Sequence, residues 1–133
     1  KTLGVRMDRH CDNAQAVVEM LSTNSAISEI LYPGLPGHLG YDTATKQMRN
    51  YGGMVSFIPS GGVEAAHKIV TSTKLFTLAE SLGAVESLIE VPAGMTHGST
   101  AGSPLEVNPA LVRLSVGIEN IEDILEDLTQ ALS

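Results

Sequence analysis

Leu3, Met7, Cys11, Ala14, Val18 and Leu21 recur at steps of three and four and stack on one helical face, while Arg6, Arg9, Asp12, Asn13 and Glu19 fall on the other. The spacing predicts a helix over about residues 2–22, stopped in the polar run Ser22-Thr23-Asn24-Ser25. Ile27 to Tyr32 alternates as a strand does and ends at Pro33-Gly34. Pro36, Gly37 and Gly40 prolong the break, and Asp42 is placed to cap a short helix through Met48. Gly52-Gly53 opens a second strand, Met54 to Ile58, which Pro59-Ser60-Gly61-Gly62 closes. Val63 to Thr71 reads as a helix with Ala65, Ala66, Ile69 and Val70 to bury. Two short strand candidates, Leu75–Leu78 and Glu86–Ile89, flank the irregular link Glu80-Ser81-Leu82-Gly83-Ala84. Pro92 to Pro109 is turn-rich and reads as a long surface loop, and Leu111 to Val116 as a further strand. The last helix has the clearest pattern, with Ile121, Ile124, Leu125, Leu128 and Leu132 on one face. Asn120 is its predicted cap, and Glu122 and Asp123 sit in the first turn, where the helix dipole favours negative charge. The acids from Glu119 to Asp127 read as a solvated helix face.

This order of elements predicts an α+β domain, with helices packed on one face of a small, mostly antiparallel sheet. A chain of 133 residues fits one domain, and a chain of that size buries roughly two-thirds of its unfolded surface. With no Trp, two Phe and three Tyr, the core must be filled by aliphatic side chains and Met. The net charge of -7 argues against a nucleic-acid partner, because backbone phosphates are held by clustered Lys and Arg and no two bases here are adjacent. No apolar run approaches the ~20 residues of a membrane span, and no signal-peptide pattern is visible. The lone Cys11 has no partner for an internal disulfide, which points to a cytoplasmic protein. The chain opens Lys1-Thr2-Leu3, without Met and already inside a helical pattern, so a piece of something longer is expected.

Metal chemistry finds no support in the residue spacing. His10, His38, His67 and His97 are scattered and Cys11 has no second thiol nearby, whereas structural zinc needs about four paired ligands. Gly52-Gly53 and Gly61-Gly62 match turns, not a phosphate-binding fingerprint, and no nucleophile elbow marks a Ser-His-Asp triad. Arg113 is different, a charge inside the apolar strand Leu111-Val112-Arg113-Leu114-Ser115-Val116. Residues 111 and 115 share its face while 112, 114 and 116 point the other way. Two readings stay open, an ion pair within the sheet or a two-donor fork aimed at the carboxylate of an amino or organic acid. Glu80, Ser81, Glu86 and Ser87 lie in the link between two apolar strands, where loops present functional groups or merely cap local amides. His97, after Pro92-Ala93-Gly94-Met95-Thr96, is either a titrating group or an ordinary loop residue.

Longer stretches carry a resemblance. Leu75-Phe76-Thr77-Leu78-Ala79-Glu80-Ser81-Leu82-Gly83, Val85-Glu86-Ser87-Leu88-Ile89, Pro92-Ala93, Met95-Thr96-His97 and Val112-Arg113-Leu114-Ser115-Val116-Gly117-Ile118-Glu119 resemble, in order, the C-terminal part of the Cys/Met-metabolism family. Its members are fold type I enzymes dependent on pyridoxal 5'-phosphate (PLP). Tyr32-Pro33-Gly34-Leu35-Pro36 and Gly52-Gly53-Met54-Val55-Ser56-Phe57 agree with it as well. Within the family the run Leu78-Ala79-Glu80-Ser81-Leu82-Gly83 resembles the branch of cystathionine γ-synthases and γ-lyases, the synthase being preferred. Ala84, where the family more often has Gly, and the loop Gly98–Pro104, where it is commonly acidic, depart from the pattern.

The resemblance implies residues 1–133 to be the small C-terminal domain of a trans-sulfuration enzyme, a homotetramer when full length. The implied reaction is γ-replacement of O-succinyl- or O-acetylhomoserine by cysteine to give cystathionine, or in the lyase reading cleavage of cystathionine. By position, Arg113 resembles the clamp on the substrate α-carboxylate, Ser81 its neighbour beside that carboxylate, and Glu80 the mouth residue tied to substrate choice. The implied cofactor is PLP, with its Schiff-base Lys, its Asp and its phosphate-binding residues upstream, so no catalytic or cofactor-binding residue is assigned here. Thr71-Ser72-Thr73-Lys74 imitates the motif around the PLP lysine, but the sequence that follows belongs to the C-terminal domain, so Lys74 is expected on the surface. Two other classes stay open: a stand-alone regulatory domain that binds an amino acid, and a non-catalytic interaction module.

Overall fold

The structure, a computed structural model, describes residues 1–96 and 102–133. The long amphipathic segment forms helix α1, Leu3–Ser22, followed by strand β1, Ile27–Leu31. After the Pro-Gly break come helix α2, Tyr41–Gln47, strand β2, Met54–Pro59, and helix α3, Gly62–Ser72. Two short strands follow, β3, Thr77–Leu78, and β4, Leu88–Glu90, then the single helical turn α4, Pro92–Met95. Strand β5, Val112–Ser115, and helix α5, Ile121–Ala131, complete the chain. The strands form one sheet in the order β1-β2-β5-β4-β3. Every pair is antiparallel except β3 with β4, so the sheet is mixed only at one edge. This is the α+β architecture expected.

Alternation along the strands sorts the two sheet faces. Val55 and Phe57 of β2, Val112 and Leu114 of β5 and Ile89 of β4 are buried on one face, where α1, α3 and α5 contribute Val17, Leu21, Ala66, Ile69, Ile124 and Leu128 to the same apolar cluster. The cross-strand row Leu31, Ser56, Arg113 and Glu90 lies on the opposite face. That row carries Arg113, the candidate site residue.

Several local expectations change. Asn13, placed by helical periodicity on the polar side of α1, is buried at 1% exposure, because its amide donates to the carbonyls of Gly117 and Glu119. Leu3 and Met7, expected on the buried stripe, are exposed. Asp42 does not cap α2: Gly40 occupies that position and Asp42 sits inside the first turn, where its charge still suits the dipole. The strand candidate at 75–78 shrinks to two residues, and the one at 86–89 starts later and runs on to Glu90. Within the stretch read as a long loop, Pro92 starts the turn α4, as its fixed φ and missing N–H allow. Asn120 caps α5 as expected, accepting from the Glu122 amide at 3.0 Å.

The acidic run at the start of α5 is not all a solvated face. Asp127 is buried and accepts three consecutive backbone N–H groups, from Lys74 at 2.7 Å, Leu75 at 2.9 Å and Phe76 at 3.0 Å. Glu119 accepts from the Ser87 amide at 2.6 Å and from its hydroxyl at 2.9 Å. Both carboxylates bind remote main chain, which helical spacing cannot register.

Candidate functional site

Arg113 projects from the centre of β5, with Ser56 of β2 on one side and Glu90 of β4 on the other as Cα partners. Its Nη2 lies 2.9 Å from Glu90 Oε1, an ion pair in which the Glu90 side chain is 1% exposed and that of Arg113 21%. Nη2 also donates to the carbonyl of Ser81 at 3.4 Å, near the limit of a hydrogen bond. The ion-pair reading of Arg113 is therefore present in the structure, with part of the side chain still reached by solvent. A pair and a fork are compatible, because a guanidinium carries five donors and this pair uses one.

The segment 79–87 crosses the same sheet face and is tied down at successive points. Ala79 donates to the Ile89 carbonyl at 3.1 Å and Gly83 to Ser115 Oγ at 2.8 Å. Ile118 donates to Val85 at 2.9 Å, and Gly117 donates to Ser87 Oγ at 2.8 Å. Gly83 supplies the left-handed turn with φ 76°, so Ala84 takes ordinary backbone and its departure from the family pattern strains nothing. Farther back, His10 Nδ1 lies 2.6 Å from the Val116 carbonyl, so α1 braces the chain just after β5. The sequence had no signal for these long-range anchors beyond the presence of polar residues on mostly apolar elements.

Of the three site residues expected, Arg113 and Ser81 are brought together, through the Ser81 carbonyl and not its hydroxyl. Glu80 is exposed on the same segment. Sequence reasoning passed over Glu90, although it stands in the apolar run Leu88-Ile89-Glu90-Val91 just as Arg113 does in its own strand. A charge inside a strand was the signal in both cases. His97 and part of the loop Gly98–Pro104 lie outside the described residues.

Other polar groups are structural. Burial pushes the Asp127 carboxyl up, but the Phe76, Lys74 and Leu75 amides and the Gln130 side chain outweigh it and hold the carboxyl below its ordinary range. Burial, with Cys11 and Tyr51 nearby, pushes the Tyr32 hydroxyl up to about 12. That hydroxyl donates to the Gly52 carbonyl at 3.1 Å. Among the described residues no group of three His, Cys, Asp or Glu side chains is gathered to hold a metal, and no helix is long and apolar enough to cross a membrane. Lys1, Lys46, Lys68 and Lys74 are all exposed. A PLP imine needs a lysine sequestered beside partners for the ring and phosphate, and the described residues do not fit that requirement.

A family model for Cys/Met metabolism PLP-dependent enzymes matches residues 1–133. Cystathionine γ-synthase of Mycobacterium tuberculosis is 58% identical over 132 residues, 99% of this chain and 34% of the relative. L-methionine γ-lyase of Fusobacterium nucleatum is 47% identical over 135 residues, again 99% of this chain and 34% of the relative. The crystal structure of metB from Corynebacterium glutamicum superposes with a TM-score of 0.97 at 60% identity, covering 98% of this chain and 34% of that one. The chain thus spans about a third of the length of the relatives it matches. With the sequence pattern, the sheet order and the whole chain in agreement, it belongs to the Cys/Met metabolism PLP-dependent enzyme family.

Proposed function

We propose that this chain is the substrate-carboxylate-binding domain of a PLP-dependent cystathionine γ-synthase, which replaces the γ-substituent of O-succinyl- or O-acetylhomoserine with cysteine. The observation that carries the reading is Arg113, a strand-borne guanidinium paired with the buried Glu90, on a side chain that keeps 21% exposure. A fixed planar fork matches the two oxygens of an α-carboxylate, and holding that carboxylate orients the Cα–H bond for the chemistry supplied by the rest of the enzyme. The exposed Ser81 and Glu80 rim the same segment, Ser81 beside the bound carboxylate and Glu80 at the mouth, facing the variable part of the substrate. The greater identity to cystathionine γ-synthases than to the γ-lyases supports the synthase over the lyase. PLP, its lysine and the oligomer belong to the full-length enzyme.

The test uses the full-length enzyme. Arg113→Ala should raise KM for the activated homoserine on the order of a hundredfold, as loss of a two-donor carboxylate contact does, with the bound-cofactor absorbance retained. An unchanged kcat/KM would refute the assignment. Product analysis separates the synthase from the lyase, cystathionine in one case and a 2-oxo acid with ammonia in the other.

A further inference from the structure

Glu90 is the most unusual charge among the described residues. Its side chain is 1% exposed, and Oε2 is buried with no hydrogen-bond partner. Oε1 meets Arg113 at 2.9 Å and accepts a long 3.4 Å bond from the Thr96 hydroxyl. A carboxylate buried with one oxygen unsatisfied is a poor stabilising device, because desolvation offsets most of what the pair gains. An apolar residue would fill this strand position at least as well.

The geometry around the guanidinium gives the charge a use. Both polar contacts of the Arg113 side chain are made by Nη2, an ion pair with Glu90 and a hydrogen bond to the Ser81 carbonyl. Each two-donor edge of a guanidinium, Nε with Nη2 or Nη1 with Nη2, includes that nitrogen. A substrate carboxylate taking either edge therefore shares Nη2 with Glu90 and Ser81. The 3.4 Å bond to Ser81 is the weaker and yields, while the 2.9 Å ion pair with Glu90 persists. Glu90 is also the cross-strand neighbour of Arg113 in the sheet, so its carboxylate sits on rigid backbone.

Resting on the carboxylate-clamp reading of Arg113, we propose that Glu90 is a positioning residue, whose buried carboxylate holds the Arg113 guanidinium in the orientation that receives the substrate carboxylate. It acts through Arg113 and touches no reacting atom.

A double-mutant cycle in the full-length enzyme tests this, with kcat and KM measured for whichever of O-succinyl- and O-acetyl-L-homoserine the wild type uses better. Glu90→Ala should raise KM about tenfold, the scale of one lost ionic contact to the guanidinium, with kcat changed less than about threefold. Glu90→Gln keeps an acceptor in place and should recover part of the loss, leaving KM raised about threefold. In an Arg113→Ala background neither Glu90 change should alter KM further, because there is no guanidinium left to hold. An unchanged KM in both single Glu90 variants, or a Glu90 effect of the same size with Arg113 absent, overturns the proposal and leaves the clamp reading standing. Arg113→Ala with a wild-type KM overturns the clamp reading itself. If Glu90→Ala does not fold, Glu90→Gln with and without Arg113 decides on the same terms.

Discussion

Asp127 offers the sharpest test of how this domain is held together. One carboxylate collects the amides of Lys74, Leu75 and Phe76, the stretch that leads from α3 into β3, and Gln130 adds a fourth donor at 3.1 Å. Asp127→Ala leaves three consecutive N–H groups without their acceptor. A fully buried charge-assisted bond is worth ~1.5–3 kcal/mol. Phe76 is buried, but Lys74 is exposed and Leu75 half-buried, so water replaces part of what is lost. A loss of about 3 kcal/mol follows, or roughly 10 °C in Tm for a domain of this size. Asp127→Asn offers one acceptor oxygen and turns an NH2 towards a donor, so about 1.5–2 kcal/mol is expected. The pH dependence adds a second signature. Because the folded carboxyl is held below its ordinary value, its contribution is fully present above the unfolded value near 3.9 and lost as pH falls through the folded value. The stability gap between wild type and Asp127→Asn should therefore close below about pH 4. Urea titration followed by far-ultraviolet circular dichroism measures it, the chain having no Trp to report by fluorescence. A stability change under about 0.5 kcal/mol for Asp127→Ala would refute the capping argument.

Gly117 sits in the lock between β5 and the segment carrying Ser81. A Cβ there would meet the Val85 carbonyl oxygen at 2.5 Å and the Ser87 amide nitrogen at 2.7 Å, both backbone atoms that cannot turn aside. Gly117→Ala should cost about 2–3 kcal/mol by overpacking, seen as a lower Tm, and a wild-type melt would show that the lock is slack. Tyr32, raised to about 12 by burial, should leave part of the tyrosinate absorbance still to appear near pH 12 in a near-ultraviolet titration of the folded chain. Its unfolded counterpart ionises near 10, so stability falls as pH rises from there towards 12. A tyrosinate absorbance already complete about one pH unit above 10 in the folded chain would contradict that burial.

Much of the fold is legible in the residue pattern. The last helix with its Asn120 cap, the alternating strand of Val55 and Phe57, and the apolar stripe of α1 from Cys11 to Leu21 follow from local periodicity, because burial on one face imposes a period on the chain. Arg113 was legible as a candidate for the same reason, a charge breaking an apolar strand. The pattern misled at Asn13, Asp127 and Glu119. Each is polar, lies at a helical position or just before one, and is occupied by backbone groups from segments far away in the chain.

Local pattern along the chain suffices for the class of domain, the run of helices and most strands, and for Arg113 and Ser81, which meet at the candidate site. What surrounds them follows from the folded arrangement. It placed Glu90 opposite Arg113 across β4 and β5, turned the Ser81 carbonyl towards the guanidinium, and fastened that segment through Ser115, Gly117 and Glu119. The physical reason is range. Periodicity records which face of an element is buried, whereas the partner of a buried charge is set by strand register and by chain segments that meet only when the sheet has formed.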